Sequence, residues 1–351
     1  MTLRAHLAVD QPLDLDASLD SGQSFRWRRD DAEQGAWLGV LEGRVVRLRR
    51  TRLGVEAEVE SGAGAPAERV ASGLRDYFRL DDDLPAVQRA LAADPHVAAG
   101  IGVFPGLRIL RQDPWEILAG FILSSTSNIP RIARTMELLA SELGEEARLG
   151  GARRYAFPAP ETVAEAGEAR LRELRCGFRA RYLAAAADAA ASGRLPLYEL
   201  RGASYGEAAA ALTALPGVGP KIADCVMLFS LDRMEAFPID LWVRRALVEH
   251  YGLDAKLSYE RMREWAWERF GANAGYANQY LFWHIRQTRR PMIAAGLTQP
   301  LPPPPPKKKK KKWGGPTPPP PAPPPPPRGA PREEAKGYAP APFPGNGGGG
   351  A

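Results

Sequence analysis

The spacing of apolar and polar residues changes once along this chain. In LGVEAEVE (Leu53 to Glu60) the two kinds alternate, which buries one face of a strand and wets the other. WLGVLEGRVVRLRR just before it predicts a hairpin turning near Glu42-Gly43, so residues 24–60 read as antiparallel strands. From about Leu84 the period becomes helical. DPWEILAGFILSS has Asp113 as N-cap, Pro114 in the first helical position and Glu116 to complete the start signal. NIPRIARTMELLASELG keeps helical period and stops at Gly144, and RARYLAAAADAAASG predicts an Ala-rich helix ending at Ser-Gly. Further helices are predicted at 205–214, 220–231, 241–251, 258–269 and 275–288. From Pro302 the chain turns to PPPPPKKKKKKWGGPTPPPPAPPPPPRGAP and closes with GNGGGG, which can bury no core. The fold class expected is α+β: an N-terminal antiparallel β-rich subdomain (1–98), a mainly α-helical region (99–300), and a disordered Pro/Lys/Gly-rich tail (301–351).

Composition adds bounds. With 351 residues and 44% hydrophobic content the chain can bury a sizeable core, in two or three packed units. No apolar run is long enough to cross a bilayer, and MTLRAHLAVDQPLDLD lacks a signal-peptide core, so a soluble intracellular protein with no membrane partner is expected. Cys176 and Cys225 are the only cysteines, too few for a disulfide framework or a four-cysteine zinc or iron–sulfur site. His6, His96, His250 and His284 are scattered without HExxH spacing, so neither a metal nor another cofactor is expected. The net charge of +6 belongs to the tail: nine basic residues against two acidic give it +7 and leave residues 1–300 at −1. Overall charge therefore gives no case for nucleic-acid binding by the folded part, although its Arg residues could still form a local basic face.

The chemistry centres on LPGVGPKIADC, Leu215 to Cys225. It is not a nucleotide-binding P-loop, because Lys221 is followed by Ile222 and not by a magnesium-binding hydroxyl. Two readings remain. One is an ordinary corner between helices. The other is a cradle in which Gly217 and Gly219 let a phosphate approach the unpaired N–H groups of a helix start, with a reactive amine alongside.

The wider stretch LPGVGPKIADCVMLFSLDRMEAFPIDLWVRRAL resembles the helix-hairpin-helix, Gly/Pro-Asp superfamily of DNA glycosylases. Within it, SGQSFRWR, DYFRLD, GLRILRQDPWEILAGFILSS and GFRARY are similar to the 8-oxoguanine DNA glycosylases, in the right order over about residues 12–290. The resemblance implies a helix-hairpin-helix glycosylase core with Lys221 as nucleophile and Asp240 as catalytic carboxylate. The attack needs a neutral amine, and a helix N-terminus with apolar walls disfavours an ammonium. From the residues alone, Lys221 is equally a solvated first-turn lysine and Asp240 a helix N-cap. For the damaged base, the resemblance assigns Cys225 and Phe282 to a sandwich and Gly22 to a carbonyl that accepts the N7–H of the oxidised base. Asn278 stands where the family has a Gln on the base edge, with Gln279 expected on a different face. Core packing is the plain alternative for Cys225 and Phe282, and a loose turn for Gly22. For the opposite strand it implies Asn128, Arg131 and Arg179, with Phe178 in place of a wedging Tyr. Thr126 stands where the family has an Asn, and Trp242 where it often has a His.

The function this implies is excision of 8-oxoguanine from duplex DNA, opposite cytosine, followed by strand cleavage through a Lys Schiff base. The protein is expected to act as a monomer, with the Lys-rich tail making non-specific DNA contacts. Its place would be the cytoplasm, on the nucleoid, in a bacterium, or the nucleus in a eukaryote. Two alternatives stay open: a glycosylase for other oxidised or alkylated purines, and a catalytically idle protein that binds damaged DNA.

Overall fold

Alternation over residues 37–60 becomes the centre of a five-stranded antiparallel sheet. The computed structural model describes residues 2–60 and 66–295; the expected tail lies outside them. Strands β1 (Thr2–Ala8), β2 (Arg28–Arg29), β3 (Trp37–Leu41), β4 (Arg44–Thr51) and β5 (Gly54–Glu60) lie in the order β1-β5-β4-β3-β2. Leu41 pairs with Arg44, so the turn is the two residues Glu42 and Gly43, at φ 48° and 74°. Two left-handed positions match the twist of the strands they join. Val55, Ala57 and Val59 of β5 are buried and pack with Val46 and Leu48. Helix α1 (Leu15–Asp20) follows β1, and α2 (Ala67–Tyr77) closes this core with Leu74 and Tyr77.

Helices α3 (Leu84–Leu91) and α4 (Pro95–Val103) lead into α5 (Pro114–Leu123). Asp113 Oδ1 accepts from the Glu116 N–H at 2.8 Å, which starts α5 where the sequence places it. Every α5 residue except Glu116 is buried, so α5 is a central helix, apolar all round. Next come α6 (Ile129–Leu143), the hairpin β6 (Glu146–Leu149) and β7 (Ala152–Tyr155), α7 (Pro160–Leu171) and α8 (Ala180–Ala191). Then follow α9 (Tyr205–Thr213), α10 (Pro220–Ser230), α11 (Leu241–Tyr251), α12 (Tyr259–Phe270) and α13 (Ala274–Ala294). The helices expected from 205 to 269 start and end within a residue or so of these bounds, while α13 runs beyond the expected 288.

Several elements go beyond the sequence reading, α1 and α7 among them. Strand β1 is recruited by β5, its partner from Thr2–Glu60 to Ala8–Gly54, so its identity depends on a segment far along the chain. Helix α2 begins before the expected onset of helix at Leu84. The β6–β7 strands are four residues each, too short for a period to show.

Arg108 joins the two regions. It is fully buried, and its guanidinium donates to Arg79 O (2.8 Å), Asp82 O and Pro12 O (both 3.1 Å) and Gln11 Oε1 (3.0 Å). Its own carbonyl accepts from Gln23 Nε2 at 2.8 Å, which helps fix the loop after α1. Arg108→Met should remove a donor from each of these acceptors and destabilise the fold by about 3 kcal/mol. Urea unfolding measures this; an unchanged midpoint would show that the lattice does not depend on Arg108.

Candidate active site

The hairpin forms as the Pro and Gly spacing requires. Leu215 and Val218 are buried anchors between α9 and α10. Gly217 sits at φ 81°, and a Cβ there would lie 2.5 Å from the Tyr182 ring, so both its backbone conformation and its space demand glycine. Gly219 is the N-cap of α10 and supplies no side-chain cap, which leaves first-turn N–H groups available to a ligand. Ile222 through Ser230 are all buried, so α10 is anchored along its length and emerges only at Pro220 and Lys221.

Lys221 Nζ lies 3.5 Å from Ser124 Oγ and 5.0 Å from the centroid of the Phe121 ring. One turn further, Cys225 is buried, and desolvation pushes its thiol up to about 12 against the opposing charge of Lys221. Asp240 is the N-cap of α11, its Oδ1 accepting from Val243 N–H at 2.8 Å. Burial raises its carboxyl above the ordinary range. The Val243 and Trp242 N–H groups and the charges of Lys221 and Arg286 pull the other way. Asp240 is thus both an N-cap and a carboxylate in the field of Lys221.

Gly22 has φ 78°, and a Cβ there would meet Ile129 Cδ1 at 2.7 Å and Phe282 at 3.5 Å. Gly22 and Phe282 therefore face each other closely. The loop is held by Gln23, whose Nε2 donates to Ser18 O, Ser21 Oγ and Arg108 O and whose Oε1 accepts from Leu110 N–H. Gln279 donates to Ser21 O at 3.1 Å, so it faces this same loop. Asn278 is buried and donates through Nδ2 to Pro238 O at 2.9 Å, two residues before Asp240.

A second group surrounds the turn at 124–128. Asn128 caps α6 by accepting from Arg131 N–H at 3.0 Å, and Arg131 is exposed in the first turn. Arg179 is buried, donating to Ser125 O and to Thr126 O at 2.8 Å and stacking 4.4 Å from the centroid of Phe178, itself 46% exposed. In this state Arg179 supports the turn, while Arg131 and Phe178 reach solvent. Trp242 is half-buried beside Asp240. The sequence reading missed Ser124, Ile129, Gln23 and Arg286. Gln23, Ser124 and Ile129 lie inside stretches the sequence reading quoted but were given no role there, and Arg286 lies one turn beyond Phe282. Among the described residues no group of His, Cys, Asp or Glu could hold a metal ion.

A hairpin that presents a lysine, and a carboxylate on the next helix, define a helix-hairpin-helix base-excision repair protein. In agreement, residues 119–272 match the helix-hairpin-helix, Gly/Pro-Asp superfamily base excision DNA repair protein model. Residues 6–118 match the N-terminal domain of 8-oxoguanine DNA glycosylase. An N-glycosylase/DNA lyase of Arabidopsis thaliana is 32% identical over 287 residues, covering 77% of this chain and 76% of that protein. The N-glycosylase/DNA lyase of Saccharomyces cerevisiae is 30% identical, covering 75% and 81%. The Clostridium acetobutylicum 8-oxoguanine glycosylase/lyase, solved with double-stranded DNA containing cytosine opposite 8-oxoguanine, superposes with a TM-score of 0.74. It is 31% identical, with 82% of this chain and 98% of that one covered. The chain belongs to the 8-oxoguanine DNA glycosylase family.

Burial pushes the Cys176 thiol up to about 12 as well. Both thiols should be almost wholly protonated at pH 8. Native protein should therefore resist labelling by Ellman's reagent, and unfolded protein should release two equivalents. Rapid stoichiometric labelling of the native protein would contradict the burial of Cys225.

Proposed function

We propose that this protein excises 8-oxoguanine from duplex DNA and then cleaves the strand at the site it has made. The observation that carries this reading is Lys221 at the open end of a buried helix, in the field of Asp240. The damaged nucleotide leaves the stack, at a cost of a few kcal/mol, and enters beside Gly22 and Phe282. The Gly22 carbonyl accepts the N7–H that only the oxidised base offers. Asn278 Oδ1 is an acceptor, which suits the N1–H and N2–H donors of a guanine edge.

Lys221 Nζ attacks C1′ as the bond from C1′ to the base breaks, the base leaving with the electron pair and taking up a proton. Asp240 stabilises the positive charge that grows on the sugar. Loss of the amine proton and opening of the sugar ring give a Schiff base. A proton then leaves C2′, the C3′–O bond breaks, and the 3′ strand departs. On the opposite strand, Arg131 and Asn128 take the orphaned cytosine, and Phe178 fills the gap. Arg179 joins them through the fork that now holds Ser125 and Thr126. The hairpin glycines Gly217 and Gly219 receive a phosphate, and Trp242 lines the approach to Asp240.

Borohydride should trap wild-type protein covalently on 8-oxoguanine duplex by reducing the Schiff base. Lys221→Gln should abolish trapping and keep lesion binding; undiminished trapping would remove Lys221 from its role. Asp240→Asn should slow single-turnover excision by about 10²–10³-fold, the scale of losing one group that stabilises developing charge. Because burial raises the Asp240 carboxyl, excision should fall as the pH drops through a value above the ordinary aspartate range. A pH–rate profile flat down to pH 4 would speak against an ionised Asp240 in the reaction.

A further inference from the structure

The proposed reaction leaves one buried carboxylate of α10 without a role. Asp224 lies three residues past Lys221 and has no exposed surface. A carboxylate at that depth must be saturated by donors. It accepts from Tyr205 OH on α9 and from Tyr259 OH on α12 at 2.5 Å, with the Arg263 guanidinium 3.8 Å away. Burial holds both phenols well above their usual range, so each keeps its O–H and donates a hydrogen bond to Asp224.

A hydroxyl has one proton, so this donation decides what else each phenol can do. Tyr205 OH is left as an acceptor and takes Arg263 Nη1 at 2.8 Å. Tyr259 OH is left as an acceptor and takes the backbone N–H of Ile239 at 3.3 Å. Its 3.4 Å approach to Phe237 O is not a competing donation while the proton points at Asp224. Ile239 is the residue immediately before Asp240. The same loop is held from α13 by Asn278 on Pro238 O.

We propose that Asp224 and Tyr259 are positioning residues for Asp240: Asp224 orients the Tyr259 hydroxyl, which fixes the Pro238–Ile239 peptide immediately before Asp240. This rests on the reading of Asp240 as the carboxylate that acts at the sugar. Helix α10 then carries Lys221 at its start and sets the carboxylate loop from its interior. The two reacting groups share one rigid support.

Tyr259→Phe keeps the ring and removes only the hydroxyl. Its single-turnover excision at saturating enzyme should fall about 10–100-fold, while lesion-duplex Kd stays within about twofold, as expected when geometry and not binding is lost. Tyr205→Phe removes a bond to the same carboxylate without touching Ile239, and its rate should stay within about threefold of wild type. Asp224→Asn should slow excision alone and add little in the Tyr259→Phe background, since the two act in series. Amide hydrogen exchange gives a second readout on the folded protein without DNA. Ile239 should lose protection in Asp224→Asn and keep it in Tyr205→Phe.

Wild-type excision by Tyr259→Phe would overturn the proposal. So would equal slowing by the two Tyr variants, which would mark general support of the fold. Asp240→Asn, run in parallel, separates the levels. Full activity there would bring down the reading of Asp240 and the proposal with it. Impaired Asp240→Asn beside unimpaired Tyr259→Phe would bring down the positioning role alone.

Discussion

The burial of α10 is the constraint on which the rest of the site depends. Nine consecutive residues, Ile222 through Ser230, are enclosed, so the helix can neither roll nor slide without opening the core. Lys221 is therefore placed by packing and not by its own few contacts. The hairpin glycines lie just before it, Cys225 lies one turn below, and Asp224 reaches across to α12. Each of these positions follows from how one helix sits against α5 and α9.

Much of this was legible from the chain because the signals are local. The two-residue turn at Glu42-Gly43, the Asp113 cap and the Leu215–Cys225 hairpin are each specified by neighbours within a few positions. What stayed hidden depends on distant partners. Strand β1 has meaning only beside β5. Asn278 and Gln279 look alike in sequence, yet one donates to Pro238 and the other to Ser21, because α13 passes between two loops from opposite ends of the chain. The Tyr259 link to Ile239 requires three helices to meet around one carboxylate, a closure that no spacing rule encodes.

Counting charge gave a neutral body, and the structure shows where the arginines went. Arg26, Arg79, Arg108, Arg154 and Arg179 are buried. Arg26 and Arg154 share Glu137, Arg79 reaches Asp232, and Arg108 and Arg179 cap loop carbonyls. These side chains act as internal struts, using several fixed donors to tie irregular backbone together. A tally of basic residues therefore overstates the charge offered to a ligand.

The contact of Gly217 with Tyr182 has a mechanical consequence. Tyr182 lies on α8, directly after the turn that carries Phe178 and Arg179, and its ring occupies the space where a side chain at 217 would sit. The hairpin tip and the exposed Phe178 are thereby braced against one another. Their separation is a fixed gauge, because neither can advance without pushing the other. Whatever bending and unstacking engagement requires falls on the DNA, and a step already weakened by damage or mismatch yields to that gauge most readily.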